Sequence, residues 1–188
     1  VIDVGGNGTA TLANLTLAGV INDGVNSRSI IKEGAGRLLI SNAGNTYNGV
    51  TVIRDGVLQV ATGAKLSTGG STIVNGGALS VGDTATLNTI NTNGLLLAAQ
   101  LGTSRFALPV IAYNGTAAIN NANPLNFSVP IAGAILGVDG VTGTSSINTA
   151  NIDLSQVGGG SNRVWLGNVT GFDRTYRGIL TNGVSGDP

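Results

Sequence analysis

Residues Ile30 to Val60, IIKEGAGRLLISNAGNTYNGVTVIRDGVLQV, alternate short apolar runs with turns built from Gly, Asn and Asp. Gly and Asn tolerate the positive φ that tight turns demand, while Thr and the β-branched aliphatics favour strands. The stretch therefore reads as short strands joined by turns.

The same form recurs on either side of it. Gly36-Arg37-Leu38-Leu39-Ile40, Gly56-Val57-Leu58-Gln59-Val60, Gly77-Ala78-Leu79-Ser80-Val81 and Gly94-Leu95-Leu96-Leu97-Ala98 begin at glycines 20, 21 and 17 residues apart. A second run precedes the turns at Thr51-Val52, Thr72-Ile73 and Thr89-Ile90, spaced 21 and 17. Two interleaved strand motifs with one shared step predict a parallel β-solenoid, one coil per repeat. Period-two alternation then assigns faces. With Gln59 and Ser80 toward solvent, Leu58, Val60, Leu79 and Val81 point inward, and Leu38 and Ile40 lie in register one coil earlier. Val52, Ile73 and Ile90 are expected to form a second inward column. Like then stacks on like at the ordinary strand spacing of about 4.8 Å.

Lys32, Gly34, Gly36, Leu38, Ile40 and Ser41, followed by Asn45, Thr46, Tyr47, Gly49 and Thr51 and closed by Gly56, Leu58 and Val60, resemble the passenger-associated repeat of bacterial autotransporter proteins. The resemblance implies a right-handed parallel β-helix, export to the extracellular space or outer cell surface, and folding along the axis after export. It names no ligand.

Composition narrows the function classes. Only 10% of the 188 residues are charged, nine acidic against nine basic, so nothing draws the chain electrostatically to nucleic acid or an anionic membrane. A polar surface comes instead from 31 Gly, 21 Asn and 20 Thr, a composition poor for helices. Cys, Met and His are absent. Lack of Cys fits export of an unfolded, unbridged chain. The longest apolar run, Leu95 to Ala99, is too short to cross a membrane as a helix. The chain opens on Val1, which leads to the expectation that it is part of something longer.

Regular coils are expected over residues 1–101. Over 102–188 the apolar segments lengthen, lose the step and are interrupted by Pro109, Pro124 and Pro130, which favour strand edges or bends. This half reads as a wider, less regular continuation of the solenoid or as a small β annex. Its end echoes the start: Gly178 to Ser185 has the form of Gly19 to Asn26, Ile152-Asp153-Leu154 that of Ile2-Asp3-Val4, and Thr175 to Ile179 that of Thr46 to Val50. These echoes predict one period of a larger tandem array.

Chemistry is sparse. Without His or Cys, the Ser-His-Asp and Cys-His arrangements and His- or Cys-based metal sites cannot be built. Asp23, Asp55 and Asp139 precede Gly, where turn chemistry accounts for them, and no two carboxylates share a strand face beside an activating base. Gly5-Gly6-Asn7-Gly8 begins like a calcium-binding nonapeptide and then lacks its Asp. No enzyme activity, metal or cofactor is expected. Trp165, Phe172 and Tyr176 are the candidates for stacking on a sugar ring, although Trp165, in the run Arg163-Val164-Trp165-Leu166, reads first as a core residue. Two functions follow as expectations. The first is a structural fibre or stalk whose partners are copies of itself or adjacent tandem repeats, docked end to end because bare strand edges invite pairing. The second is an adhesin that binds a glycan or a host or cell surface through the C-terminal half.

Overall fold

The computed structural model describes residues 1–5, 14–98, 108–129, 133–139, 147–160, 164–168 and 175–181. Strands arrive in pairs along the chain. Ile2–Asp3 (β1) and Asn14–Leu17 (β2) are followed by Ile30–Glu33 (β3) and Arg37–Ile40 (β4), Thr51–Ile53 (β5) and Val57–Val60 (β6), then Thr72–Val74 (β7) and Ala78–Val81 (β8). A helix, Thr84–Thr92 (α1), precedes Leu95–Leu97 (β9). Later come Val110–Tyr113 (β10), Ala134–Val138 (β11), Ile147–Asn148 (β12), Ile152–Asp153 (β13), Val164–Asn168 (β14), Thr175–Tyr176 (β15) and Leu180–Thr181 (β16).

Every pairing between these strands is parallel. The two largest sheets have the orders β1-β3-β5-β7-β9 and β14-β11-β10-β8-β6-β4-β2, and β12-β15 and β13-β16 make two-stranded ones. Consecutive neighbours thus come from consecutive turns of the chain, which makes the fold a stacked β-solenoid. Tight turns join the two sheets inside each coil. Gly56, at φ +62°, makes one of them, and a Cβ there would stand 2.3 Å from the Gly36 carbonyl oxygen of the preceding coil.

The inward column of the seven-stranded sheet is the one read from sequence. Leu38 pairs with Leu58, Leu58 with Leu79, Leu79 with Ile111 and Ile111 with Leu136, all fully buried. Ile40, Val60, Val81 and Tyr113 form the column beside it. The same sheet carries the wider C-terminal coils: its register runs Arg37, Val57, Ala78, Val110, Ile135, Trp165, so the early steps of 20 and 21 residues give way to longer ones. The added residues form a further parallel face, in which Ile119 bridges to Ile152 and Ile152 pairs with Leu180.

Three expectations fail. Gln59 and Ser80 do not face solvent but are buried, because the outer face of the seven-stranded sheet is covered as well, with Val57, Ala78, Val110 and Ala112 forming a second core. Parallel sheets are commonly buried on both faces. Val52 and Ile73 are not an inward column. They lie half-buried on the outside, and the inner positions are Thr51 and Ile53, then Thr72 and Val74. An inward Thr51 is tolerable because its hydroxyl is hydrogen-bonded to that of Tyr47 at 2.7 Å.

The third failure is Thr89-Ile90, which belongs to α1 rather than to a strand. Asp83 caps this helix, accepting from the Thr86 amide at 2.6 Å and the Thr86 hydroxyl at 2.8 Å, while its Oδ2 also takes the Gly63 amide of the preceding coil. Leu87 and Ile90, three apart, are buried on one face. The strand that follows, Leu95–Leu97, consequently pairs with β7 in the five-stranded sheet and not with Gly77 to Val81.

Candidate functional site

The residues of the repeat motif are joints between coils. The Lys32 side chain is buried, and its ammonium donates to the carbonyls of Glu33 (2.6 Å), Gly34 (2.5 Å) and, one coil on, Asp55 (3.2 Å). An ammonium has three donors, and all three are matched. Burial lowers the Lys32 pKa below 10.5, with the charges of Asp55 and Asp3 acting the other way. Asn45 spans three coils: its Oδ1 accepts from the Ile21 amide (2.8 Å) and its Nδ2 donates to the Lys65 carbonyl (2.7 Å). Gly49 leaves no room for a side chain, since a Cβ would lie 2.0 Å from the Arg28 carbonyl oxygen. At Gly34, with φ +72°, a Cβ would lie 2.2 Å from Asp3 Oδ1 and 2.7 Å from the Val4 carbonyl oxygen. Thr46 is exposed, and its amide donates to the Ile21 carbonyl. Gly36 donates to the Val4 carbonyl and accepts from Val57, so it too is a link in the stack. Leu38, Leu58 and Val60 form the apolar interior.

A second cluster lies on the outer face of the seven-stranded sheet. Arg37 and Asp139, 102 residues apart, form a buried two-pronged ion pair at 2.6 and 2.9 Å. Gln59 accepts from the same guanidinium at 2.9 Å, and the Ser80 hydroxyl donates to Asp139 at 2.6 Å. Ser80 in turn accepts from Asn114 at 2.7 Å. Asp139 is therefore no turn residue; it ties a wide coil to three earlier ones. Sequence reading missed this cluster, although Val110-Ile111-Ala112-Tyr113 and Ala134-Ile135-Leu136-Gly137-Val138 are apolar at nearly every position, which is the mark of strands buried on both faces.

Of the sugar-stacking candidates, Trp165 and Tyr176 lie on different sheets. Trp165 is 51% exposed, against the core reading, at the outer position of the last strand of the sheet. Phe172 lies outside the described residues, as do Asn182 to Ser185 of the terminal echo. Tyr176 is half-buried with its hydroxyl engaged by backbone. Three other carboxylates serve the backbone: Asp23 accepts from the amides of Asn48 and Arg28, which hold its carboxyl below the usual range, Asp55 from Gly56, and Asp153 from Ser155. Glu33 pairs with Arg54 at the surface. Among the described residues no group of acids is arranged to hold a metal ion, and no helix is long and apolar enough to cross a membrane.

Buried phenols give the site a pH dependence. Burial pushes Tyr47 up to about 12, against the pull of its Thr51 hydrogen bond, and Tyr113 up to about 12, assisted by the charge of Asp83. A folded pKa above the ordinary 10.0 means stability that is complete below pH 10 and is lost as pH rises through about 12. Lys32 acts in the opposite sense, since raising the pH relieves its buried charge. The expected result is that tyrosinate absorbance and loss of the β circular-dichroism signal appear together above pH 10. Ionisation of all three tyrosines near pH 10 with the β signal intact would contradict the burial of these rings.

No curated protein and no solved structure matches this chain. Residues 30–60, the stretch that holds Lys32, Asn45, Tyr47 and Gly49, match the model of the passenger-associated-transport-repeat family.

Proposed function

We propose that this chain is a structural module of an exported bacterial passenger protein, a rigid segment at the cell surface or outside the cell that acts by length and stiffness and continues by end-to-end docking. The observation that carries the reading is the state of the two outermost strands of the seven-stranded sheet. Leu15 on β2 and Leu166 on β14 both occupy the inward column of Leu38, Leu58 and Leu79, yet they are 39% and 46% exposed. Among the described residues each end of the sheet offers an apolar position and a strand edge, the combination that pairs with another coil. Copies of this chain or adjacent repeats are the partners that fit. The engagement of most described carboxylates with backbone donors and cations supports a non-enzymatic role.

The exposed Trp165 favours a second reading, an adhesin that meets a glycan on this outer face. One experiment separates the two. Electron microscopy and light scattering of the purified chain across a concentration series should show rods joined end to end, and Leu166→Lys should shorten them. Monodisperse short rods at every concentration would overturn the stacking reading, and loss of glycan-array binding in Trp165→Ala would then establish the other.

A further inference from the structure

All three tyrosines of the chain are followed two residues later by glycine: Tyr47-Asn48-Gly49, Tyr113-Asn114-Gly115 and Tyr176-Arg177-Gly178. Glycine makes up 31 of 188 residues, so three cases out of three are not a compositional accident. The surroundings agree as well. A Cβ on the glycine would stand 2.0 Å from the Arg28 carbonyl oxygen at Gly49, 2.2 Å from that of Gly82 at Gly115, and 2.0 Å from that of Ala150 at Gly178. Each of these carbonyls belongs to the preceding coil. The phenol in each case reaches forward three or four residues to close the corner. Tyr47 meets the Thr51 hydroxyl at 2.7 Å, Tyr113 donates to the Ala117 carbonyl at 2.9 Å, and Tyr176 lies 3.0 Å from the Ile179 carbonyl. At Gly115 and Gly178 an added Cβ would also strike the hydroxyl of the tyrosine two residues earlier, at 2.5 and 2.6 Å. Ring and glycine are thus packed as one unit.

We infer that Tyr-x-Gly is a coil clamp used three times, and that Tyr113-Asn114-Gly115 and Tyr176-Arg177-Gly178 carry this docking element of the repeat into the wide coils beyond residues 30–60. Its task there follows from loop physics. Between Ala78 and Val110, and again between Ile135 and Trp165, the chain makes an excursion longer than the early coils before rejoining the sheet. Closing a longer loop costs more entropy and specifies the landing point less well. A glycine that fits only against one backbone carbonyl, held by a ring that closes the next turn, fixes where the coil lands. Tyr113, Gly115, Tyr176 and Gly178 are positioning residues in this sense. The amides beside them are bound at once to the coil beneath: Asn114 donates to Val81 at 2.9 Å and Arg177 to Asn148 at 2.8 Å. This registration within the chain is independent of end-to-end assembly.

The test compares Gly115→Ala and Gly178→Ala with Gly49→Ala as the internal standard and Gly69→Ala as the control, because a Cβ at Gly69 meets only Asn48 Oδ1 at 3.6 Å. Two readouts are taken, amide hydrogen exchange and alkaline titration of the phenols. In Gly115→Ala the Asn114 amide should exchange about tenfold faster or more, and the Tyr113 phenol should titrate nearer its ordinary value while Tyr47 stays where it is. Arg177 should respond likewise to Gly178→Ala, and Gly69→Ala should leave both amides unchanged. Tyr113→Phe and Tyr176→Phe remove only the hydroxyl and serve if the alanine variants fail to fold; each should accelerate exchange at its own corner by about tenfold. Exchange within about twofold of the parent at Asn114 and Arg177, in the alanine or the phenylalanine variants, overturns the clamp.

Discussion

Replacing Asp139 with alanine is expected to lower the unfolding free energy by about 3–5 kcal/mol, the range for removing one partner of a buried ion pair. The Asp139 side chain is fully buried and accepts from both terminal nitrogens of Arg37 and from the Ser80 hydroxyl. The variant keeps the Arg37 guanidinium buried with Gln59 beside it but takes away its countercharge. Because the pair joins residues 102 apart, the loss should not stay local. Coils that would otherwise unfold one after another are tied by it into a single unit, so both the urea midpoint and the steepness of the transition should fall. Arg37→Met combined with Asp139→Leu should recover most of the loss, since an apolar pair suits the second core formed by Val57, Ala78, Val110 and Ala112. A change below about 1 kcal/mol in Asp139→Ala would mean that the pair behaves like a solvated surface bridge, and the outer-face lock would be wrong.

That cluster also marks where the sequence is informative and where it is not. Leu38, Leu58 and Leu79 sit at one fixed offset from Gly36, Gly56 and Gly77, and a parallel stack converts equal offsets into contact. The inward column of the seven-stranded sheet is therefore legible from those offsets alone. Alternation does not reveal a covered outer face, however, and the polar side chains of Gln59 and Ser80 read as solvated although they are satisfied by Arg37 and Asp139. The five-stranded sheet misleads in a related way. Its strands are three residues long at β5 and β7, too short for alternation to choose a face, and the buried threonines Thr51 and Thr72 look more like surface residues than Val52 and Ile73 do. In α1 the Thr-Ile pair imitates the earlier strands, while the true signals are the Asp83 cap, the Leu87 and Ile90 spacing and Gly94 at φ +97° after the last turn. Of the site, the motif positions are visible in the sequence and their work is not. Two of the carbonyls that Lys32 meets are its near neighbours, but the third, that of Asp55, belongs to the next coil, which no local pattern encodes.

Leu58→Asp and Val52→Asp test the assignment of faces directly, and they should differ by several kcal/mol. Leu58 is fully buried, with Leu38 beneath it and Leu79 above it in the same column. Truncating such a leucine to alanine already costs about 2–5 kcal/mol through lost burial and the cavity left behind. Aspartate adds a carboxylate between two leucines about 4.8 Å away, an apolar setting that cannot replace its lost hydration. Val52 lies half-buried on the outside of the five-stranded sheet, where a carboxylate keeps access to water, so the same change there should cost about 1 kcal/mol. Acidification separates a buried charge from simple loss of packing. Burial raises the folded pKa of the new carboxyl above its unfolded value, so its penalty is complete above the folded pKa and shrinks as pH falls toward the unfolded one. The deficit of Leu58→Asp should accordingly narrow between pH 7 and about pH 4, whereas that of Leu58→Asn should not. Equal costs for the two aspartate variants, measured by urea unfolding, would show that the coils are not closed around the Leu38, Leu58 and Leu79 column.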